Sequence, residues 1–267
     1  MRIVSLAPNQ TEILAALDLR AHLAGVTENC DHPPWVQSLP RFGTWYAPDL
    51  PAVLQARPDL ACTFGSHQEE AASLLREAGL RVFHGDPATV DQALKSMEDL
   101  AREANRKREG EILLKELESR LEKVRRRLEN IPGKSRPTVL RIMHWSPFIS
   151  VGPGAFQHDV IERAGGVNIT ADGEKPYFVC DPATARQRDP QVVFFCEPSI
   201  GERLREDPHW REARAVRRER LFLFDCGLTC RAGPRIADMV EQLSAVLHPF
   251  TRPAPTAWPG ARSGPSE

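Results

Sequence analysis

The 267-residue chain is nearly neutral, with 35 Lys and Arg against 36 Asp and Glu for a formal net charge of −1, so no global field draws it to nucleic acid or an anionic membrane. Its length suits one large domain or two modest ones. No apolar run approaches the ~20 residues that span a bilayer, and no basic-then-apolar leader precedes the first strand, from which a cytoplasmic location is expected.

Arg2 to Leu6 reads as an apolar strand that turns at Ala7-Pro8 into a helix from Asn9, with Glu12 placed as in a capping box. Arg57-Pro58-Asp59-Leu60-Ala61-Cys62 opens a further strand. Lys107 to Ile131 carries one Gly, Gly110, and no Pro, and its Leu114, Leu117, Leu121, Val124 and Leu128 step by three and four, the stripe of an amphipathic helix. At ~1.5 Å per residue that helix spans roughly 35 Å, about one small domain. Thr138 to Met143 reads as a strand, and after a Pro/Gly-rich stretch Phe156 to Ala164 reads as a helix closed by Gly165-Gly166. Asp189-Pro190-Gln191-Val192-Val193-Phe194 echoes the run at Pro58, and Pro58 to Glu70 has the same spacing as Pro190 to Glu202. The expected fold is α/β: two lobes with central sheets flanked by helices, joined by one long backbone helix. The boundaries are 1–106 for the first lobe, 107–131 for the helix, 132–250 for the second lobe and 251–267 for a Pro-rich disordered tail.

Ligands of open α/β sheets sit outside the carboxyl ends of the strands, so two facing lobes set two such rims against one ligand. The first rim holds Pro8, Asn29 to His32, Trp45-Tyr46 and Phe64 to His67; the second holds His144 to Phe148, Tyr177-Phe178, Cys196-Glu197 and Cys226 to Arg231. Aromatic residues are 7 % of the chain, yet Trp45, Tyr46, Trp145, Phe148, Tyr177 and Phe178 gather there, as walls for a large planar ligand require. His32, His67, His144 and Asp225 are the alternative, a metal set drawn from both lobes; their spacing matches no compact ligand motif, and no metal is assigned. Cys226 and Cys230 form a C-x3-C pair beside the scattered Cys30, Cys62, Cys180 and Cys196, which in a reducing compartment read as small buried apolar residues. Gly65-Ser66-His67 lacks the G-x-S-x-G of a nucleophile elbow, and Gln157 occupies the third glycine position after Gly152-Pro153-Gly154. No enzyme and no catalytic cofactor are expected.

Arg2-Ile3-Val4-Ser5-Leu6-Ala7-Pro8-Asn9-Gln10-Thr11-Glu12, Cys30-Asp31-His32-Pro33-Pro34, Gly43-Thr44-Trp45, Ser146-Pro147-Phe148-Ile149-Ser150, Ala164-Gly165-Gly166-Val167-Asn168-Ile169 and Ala232-Gly233-Pro234-Arg235-Ile236, in that order, resemble the helical-backbone (class III) substrate-binding proteins of ABC importers for cobalamin and ferric siderophores. The cobalamin branch is the nearest, and the resemblance runs from Arg2 to about His248. It implies a monomer that holds cobalamin or another corrinoid in the cleft for an ABC permease, as a small-molecule metal chelate and without catalysis. Ferric siderophore, haem, a bare metal ion or a cytosolic cobalamin-handling role are the alternatives. The same resemblance implies a periplasmic or extracytoplasmic location if a leader is missing from the chain. Ligand contacts are implied at Pro8, His32, Trp45, Tyr46, His67, Trp145, Phe148, Tyr177 and Arg231, and permease docking at Glu69, Glu70 and Glu202. The chain departs from the family pattern at Asn29 and His32, where tyrosines are usual, at Thr63 in place of tryptophan, and at Gly227-Leu228 in place of an acidic residue and tryptophan.

Overall fold

In the computed structural model, which describes residues 1–249, the apolar runs become short strands that each lead into a helix. The first lobe contains β1 (Ile3–Ser5), β2 (Leu23–Val26), β3 (Leu60–Phe64) and β4 (Val82–Gly85), all parallel in the order β2-β1-β3-β4. The second contributes β5 (Thr138–Arg141), β6 (Ile149–Val151), β7 (Val167–Asn168), β8 (Tyr177–Val179), β9 (Val192–Phe195) and β10 (Leu221–Leu223). Here β7-β5-β9-β10 form a parallel sheet of the same order as the first, while β6 and β8 pair antiparallel beside it. Ile3, Val4, Val192, Val193 and Phe194 have no exposed surface, as central strands covered on both faces require.

The internal echo extends to the backbone. Arg57 and Asp189, each just before a proline, adopt left-handed conformations with φ of 46° and 45°, a region non-glycine residues rarely enter. Two side chains so placed at matching points show that the lobes repeat one plan down to single dihedrals.

The helix between the sheets runs Lys107–Leu128, three residues short of the expected Ile131. Leu117, Leu121, Val124 and Leu128 are buried and Leu114 packs against them, each contributing about 2 kcal/mol by burial. At Gly110 a Cβ would lie 2.6 Å from Cβ of Ala101, so the glycine lets this helix cross the first-lobe helix Val90–Glu103 closely. Further along, Arg120 bonds Glu241 at 2.7 Å and also Asp238, both on the second-lobe helix Ile236–Leu247. Side chains of both lobes and this helix therefore form one continuous apolar cluster, from Ile3 through Leu121 to Val139 and Leu247.

Two local expectations change. The first helix is Pro8–Ala16, with proline in its first turn and Ala7 at the N-cap making no side-chain cap bond; no capping box forms, because the helix starts before Asn9, its N-cap is an alanine and Glu12 lies beyond the N3 position. The helix Phe156–Arg163 ends as expected, with Gly165 at φ +86°. No helix among the described residues is long and apolar enough to cross a membrane. The expected tail at 251–267 lies outside the described residues.

Candidate ligand-binding cleft

The lobes touch through two charged clamps. In one, Arg231 donates to Glu12 at 2.8 Å, to Asp31 at 2.6 Å and to the Asn29 carbonyl at 3.2 Å, while Arg235 grips both oxygens of Glu12 at 2.7 and 2.9 Å. The Glu12 carboxylate is 3 % exposed, a buried charge that two guanidiniums neutralise. Desolvation pushes the Asp31 carboxyl up, and the bond and charge of Arg231 more than offset that, so its pKa ends below the usual range. In the other clamp Asp159 accepts from the Val90 amide at 2.7 Å and Arg163 reaches Asp91 at 2.7 Å.

On the first-lobe rim, the indole of Trp45 donates to the carbonyl of Phe64 at the end of β3, and Gln68 ties the carbonyls of Trp45 and Leu6 together at 2.7 and 2.8 Å. The Asn29 side chain accepts from the Trp45 amide at 2.7 Å. These bonds hold the loop at the carboxyl ends of β1 and β3. Trp45, Tyr46 and His67 then form one aromatic group, with centroids 4.6 to 5.6 Å apart, and Tyr46 is 68 % exposed. An exposed aromatic group at the strand ends is a surface that a flat ligand can cover. Pro8 and His32 are half-buried on the same lobe.

The second-lobe rim differs from expectation. Phe148 is 5 % exposed and stacks on Trp210 within a second apolar cluster, so it serves the core of its lobe rather than a ligand surface. Trp145 meets its edge at 5.8 Å and is half-buried. Tyr177 turns its hydroxyl to Gln157 at 2.9 Å; desolvation of that hydroxyl, opposed by the Gln157 bond, pushes its pKa up to about 12, with Cys230 of the same lobe and Asp86 of the opposite lobe adding to the rise. On the first lobe, His84 in β4 bonds Thr63 at 2.9 Å and desolvation holds its pKa below the ordinary imidazole value. A cavity of about 650 Å³ runs from Ile149 to Arg188 past Tyr177 and Phe178, wholly within the second lobe.

His32, His67, His144 and Asp225 do not assemble as a metal set: among the described residues the group with metal-ligand proximity is Cys196, Cys226 and Cys230. Cys30, Cys62 and Cys180 are buried as expected, whereas these three converge at the ends of β9 and β10, with sulfurs 3.4, 3.6 and 3.8 Å apart. Hydrogen bonding with Cys226 and Cys230, helped by Arg141, favours the Cys196 thiolate and lowers its pKa far below the ordinary thiol range. The C-x3-C spacing was the available signal, since it puts two thiols on one side of a helical turn; what it lacks is the strand adjacency that adds Cys196. The pairing of Glu12 with Arg235 was not legible, because nothing local marks a residue whose partner lies in the other half of the chain. Glu69 and Glu70, in the first turn of helix Glu69–Glu77, and Glu202, in helix Pro198–Glu206, are exposed.

Two like-ordered α/β lobes, a stiff connecting helix and strand-end rims facing across a clamped interface define a two-lobed binding protein of the helical-backbone class. The chain belongs to the Periplasmic binding protein family, which it matches over residues 3–226. It is similar to the vitamin B12-binding protein of Vibrio cholerae serotype O1, 28 % identical over 255 residues that cover 92 % of this chain and 88 % of that one. The crystal structure of the periplasmic vitamin B12 binding protein of Vibrio cholerae superposes with a TM-score of 0.81 at 27 % identity, covering 92 % and 96 % of the two chains. An uncharacterized ABC transporter substrate-binding lipoprotein of Bacillus subtilis is 25 % identical over 255 residues, covering 94 % and 81 %. The periplasmic heme-binding protein of Roseiflexus sp. RS-1 shares the fold, with a TM-score of 0.82 at 22 % identity and coverage of 94 % and 99 %.

Proposed function

We propose that this chain is the substrate-binding protein of an ABC-type uptake system and holds cobalamin or a related corrinoid, untransformed, between its lobes. The observation that carries the reading is the Trp45-Tyr46-His67 group at the carboxyl ends of the first-lobe strands, with Tyr46 and His67 exposed and Trp45 half-buried, an aromatic wall that can line one side of a macrocycle. The vitamin B12-binding name of the Vibrio relative supports the same ligand class, and the Bacillus relative's name supports an ABC permease as partner. On this reading the protein meets its ligand outside the cytoplasmic membrane. Trp45, Tyr46 and His67 face the ligand from one side, Trp145 and Tyr177 from the other, with Pro8, His32 and Arg231 at the edges and Glu69, Glu70 and Glu202 turned to the permease. Calorimetry and visible absorption with cyanocobalamin, cobinamide and hemin provide the test. Saturable binding of one corrinoid per chain at micromolar or tighter Kd, about −8 kcal/mol, is the expected result; binding of hemin alone, or of none of the three, overturns it.

A further inference from the structure

Cys196 follows β9 directly, and Cys226 opens the short helix Cys226–Thr229 just after β10, its neighbour in the sheet. The Asp225 side chain accepts from the Leu228 amide at 3.1 Å and fixes that turn, so Cys230, four residues on, comes round to the same side. All six sulfur-bearing cysteines of the chain are unpaired, and these three stand in mutual contact. A tetrahedral ion with metal-sulfur bonds of ~2.3 Å sets its sulfurs about 3.8 Å apart. The observed 3.4, 3.6 and 3.8 Å are close to that triangle without rearrangement.

Arg141 supplies a second, independent observation. It is fully buried, a state a guanidinium tolerates only with a counter-charge. Its side-chain hydrogen bonds go to the Ile142 carbonyl at 3.1 Å, Thr229 Oγ1 at 3.4 Å, Cys196 Sγ at 3.3 Å and Cys230 Sγ at 3.6 Å, and it lies over the ring of Phe194. No carboxylate is among those partners. The ionisable groups it touches are the thiols of Cys196 and Cys230, so the matching negative charge would sit on sulfur.

We propose that Cys196, Cys226 and Cys230 form a three-thiolate site for a zinc-like divalent metal ion, with a fourth coordination position reachable from solvent. Three thiolates around a dication leave one net negative charge, and the Arg141 guanidinium cancels it. Cys226 is exposed and Cys196 and Cys230 half-exposed, so the ion enters from the surface and the fourth position takes water or a small donor. The site goes beyond the corrinoid reading and does not depend on it, since the thiols lie in one lobe.

The test is anaerobic titration of the reduced full-length chain with Co2+ as a spectroscopic stand-in, followed by displacement with Zn2+. One Co2+ per chain should bring sulfur-to-cobalt charge-transfer bands and the visible bands of tetrahedral coordination, both erased by Zn2+. Cys226→Ser, at an exposed position, should weaken Co2+ by more than about 100-fold, beyond the cost of losing an outer partner of a metal ligand. Because a variant can misfold, the wild-type chain gives a parallel reading: saturating Zn2+ should slow maleimide labelling of Cys226, followed by peptide mass spectrometry. Absence of charge-transfer bands, unchanged affinity in C226S, or labelling at the same rate with Zn2+ present each overturns the site. Corrinoid titration of the metal-free chain separates this outcome from failure of the proposed function.

Discussion

Arg231 of the second lobe donates to Glu12 of the first across 2.8 Å, and Arg235 binds the same carboxylate two ways. Both partly buried cations converge on Glu12, and removing its charge leaves Arg231 only Asp31 and Arg235 only the more distant Asp225, at 3.6 Å, against their mutual repulsion. Glu12→Gln should destabilise the chain by about 3 kcal/mol, the cost of breaking a buried pair. Urea melts of the variant and wild type check this; a loss below about 1 kcal/mol would falsify the clamp's structural role.

Acid should loosen the same clamp. The Asp31 carboxyl titrates below its unfolded value because Arg231 overcomes its desolvation, so its contribution is present above about pH 4 and disappears as pH falls through the lower folded value. His84 acts at milder pH: desolvation depresses it, so the unfolded chain takes up its proton first and stability declines as pH drops below about 6.5. Melting temperature against pH should show both steps. Asp31→Asn should flatten the lower one and His84→Gln the upper one; profiles parallel to wild type refute the assignments.

Trp45 and Phe148, both implied as ligand contacts by the family resemblance, should behave differently. Trp45→Ala removes part of an exposed group and should weaken corrinoid binding about tenfold or more, with little change in stability, since one aromatic contact is worth roughly 1 kcal/mol beyond its area. Phe148→Ala opens a void against Trp210 and should cost about 3–5 kcal/mol of folding stability. Calorimetry and thermal melts on both variants separate the roles, and a stable Phe148→Ala chain that fails to bind ligand would reverse them.

The proposed permease docking rests on exposed glutamates. Glu70→Arg and Glu202→Arg, each at an exposed helix position, should abolish pull-down of the cognate permease and leave ligand affinity within about twofold. An unchanged complex argues that these carboxylates only favour their helices electrostatically.

Much of the scaffold was legible because it rests on local periodicity. The stripe Leu117, Leu121, Val124 and Leu128 set the connecting helix, and the repeated Pro-Asp-Leu and Pro-Gln-Val runs set β3 and β9. Sites built from distant segments were less legible. Phe148 stands in a rim-like loop by sequence, yet its ring turns inward because Trp210, some sixty residues away, provides the stacking face. Glu12 reads by sequence as a capping-box acid after Asn9, but the helix starts at Pro8 and leaves it free to pair with Arg231 and Arg235. The cysteine triangle required the pairing of β9 with β10, a relation that spacing alone does not carry.

The connecting helix should also limit motion. From Glu111 to Leu128 it has neither Gly nor Pro, and sharp helix bends almost always need such a residue or a bulge. Spin-label distances across the cleft should therefore shift by only a few ångströms with saturating ligand. A wide hinge closure would contradict the helix as the link between lobes.

Because the largest apolar cluster passes unbroken from Ile3 through the connecting helix to Leu247, each half shares most of its interior with the other and keeps only a smaller cluster to itself. Heat should melt the chain in one transition, and either half expressed alone should aggregate. A molecule that settles anywhere on the native surface then raises that single midpoint, by about 2.7 kcal/mol of added stability at a hundred times its Kd. One thermal-shift plate can thus interrogate corrinoids, porphyrins and metal ions together, and the protein's own cooperativity becomes the detector for whatever it carries.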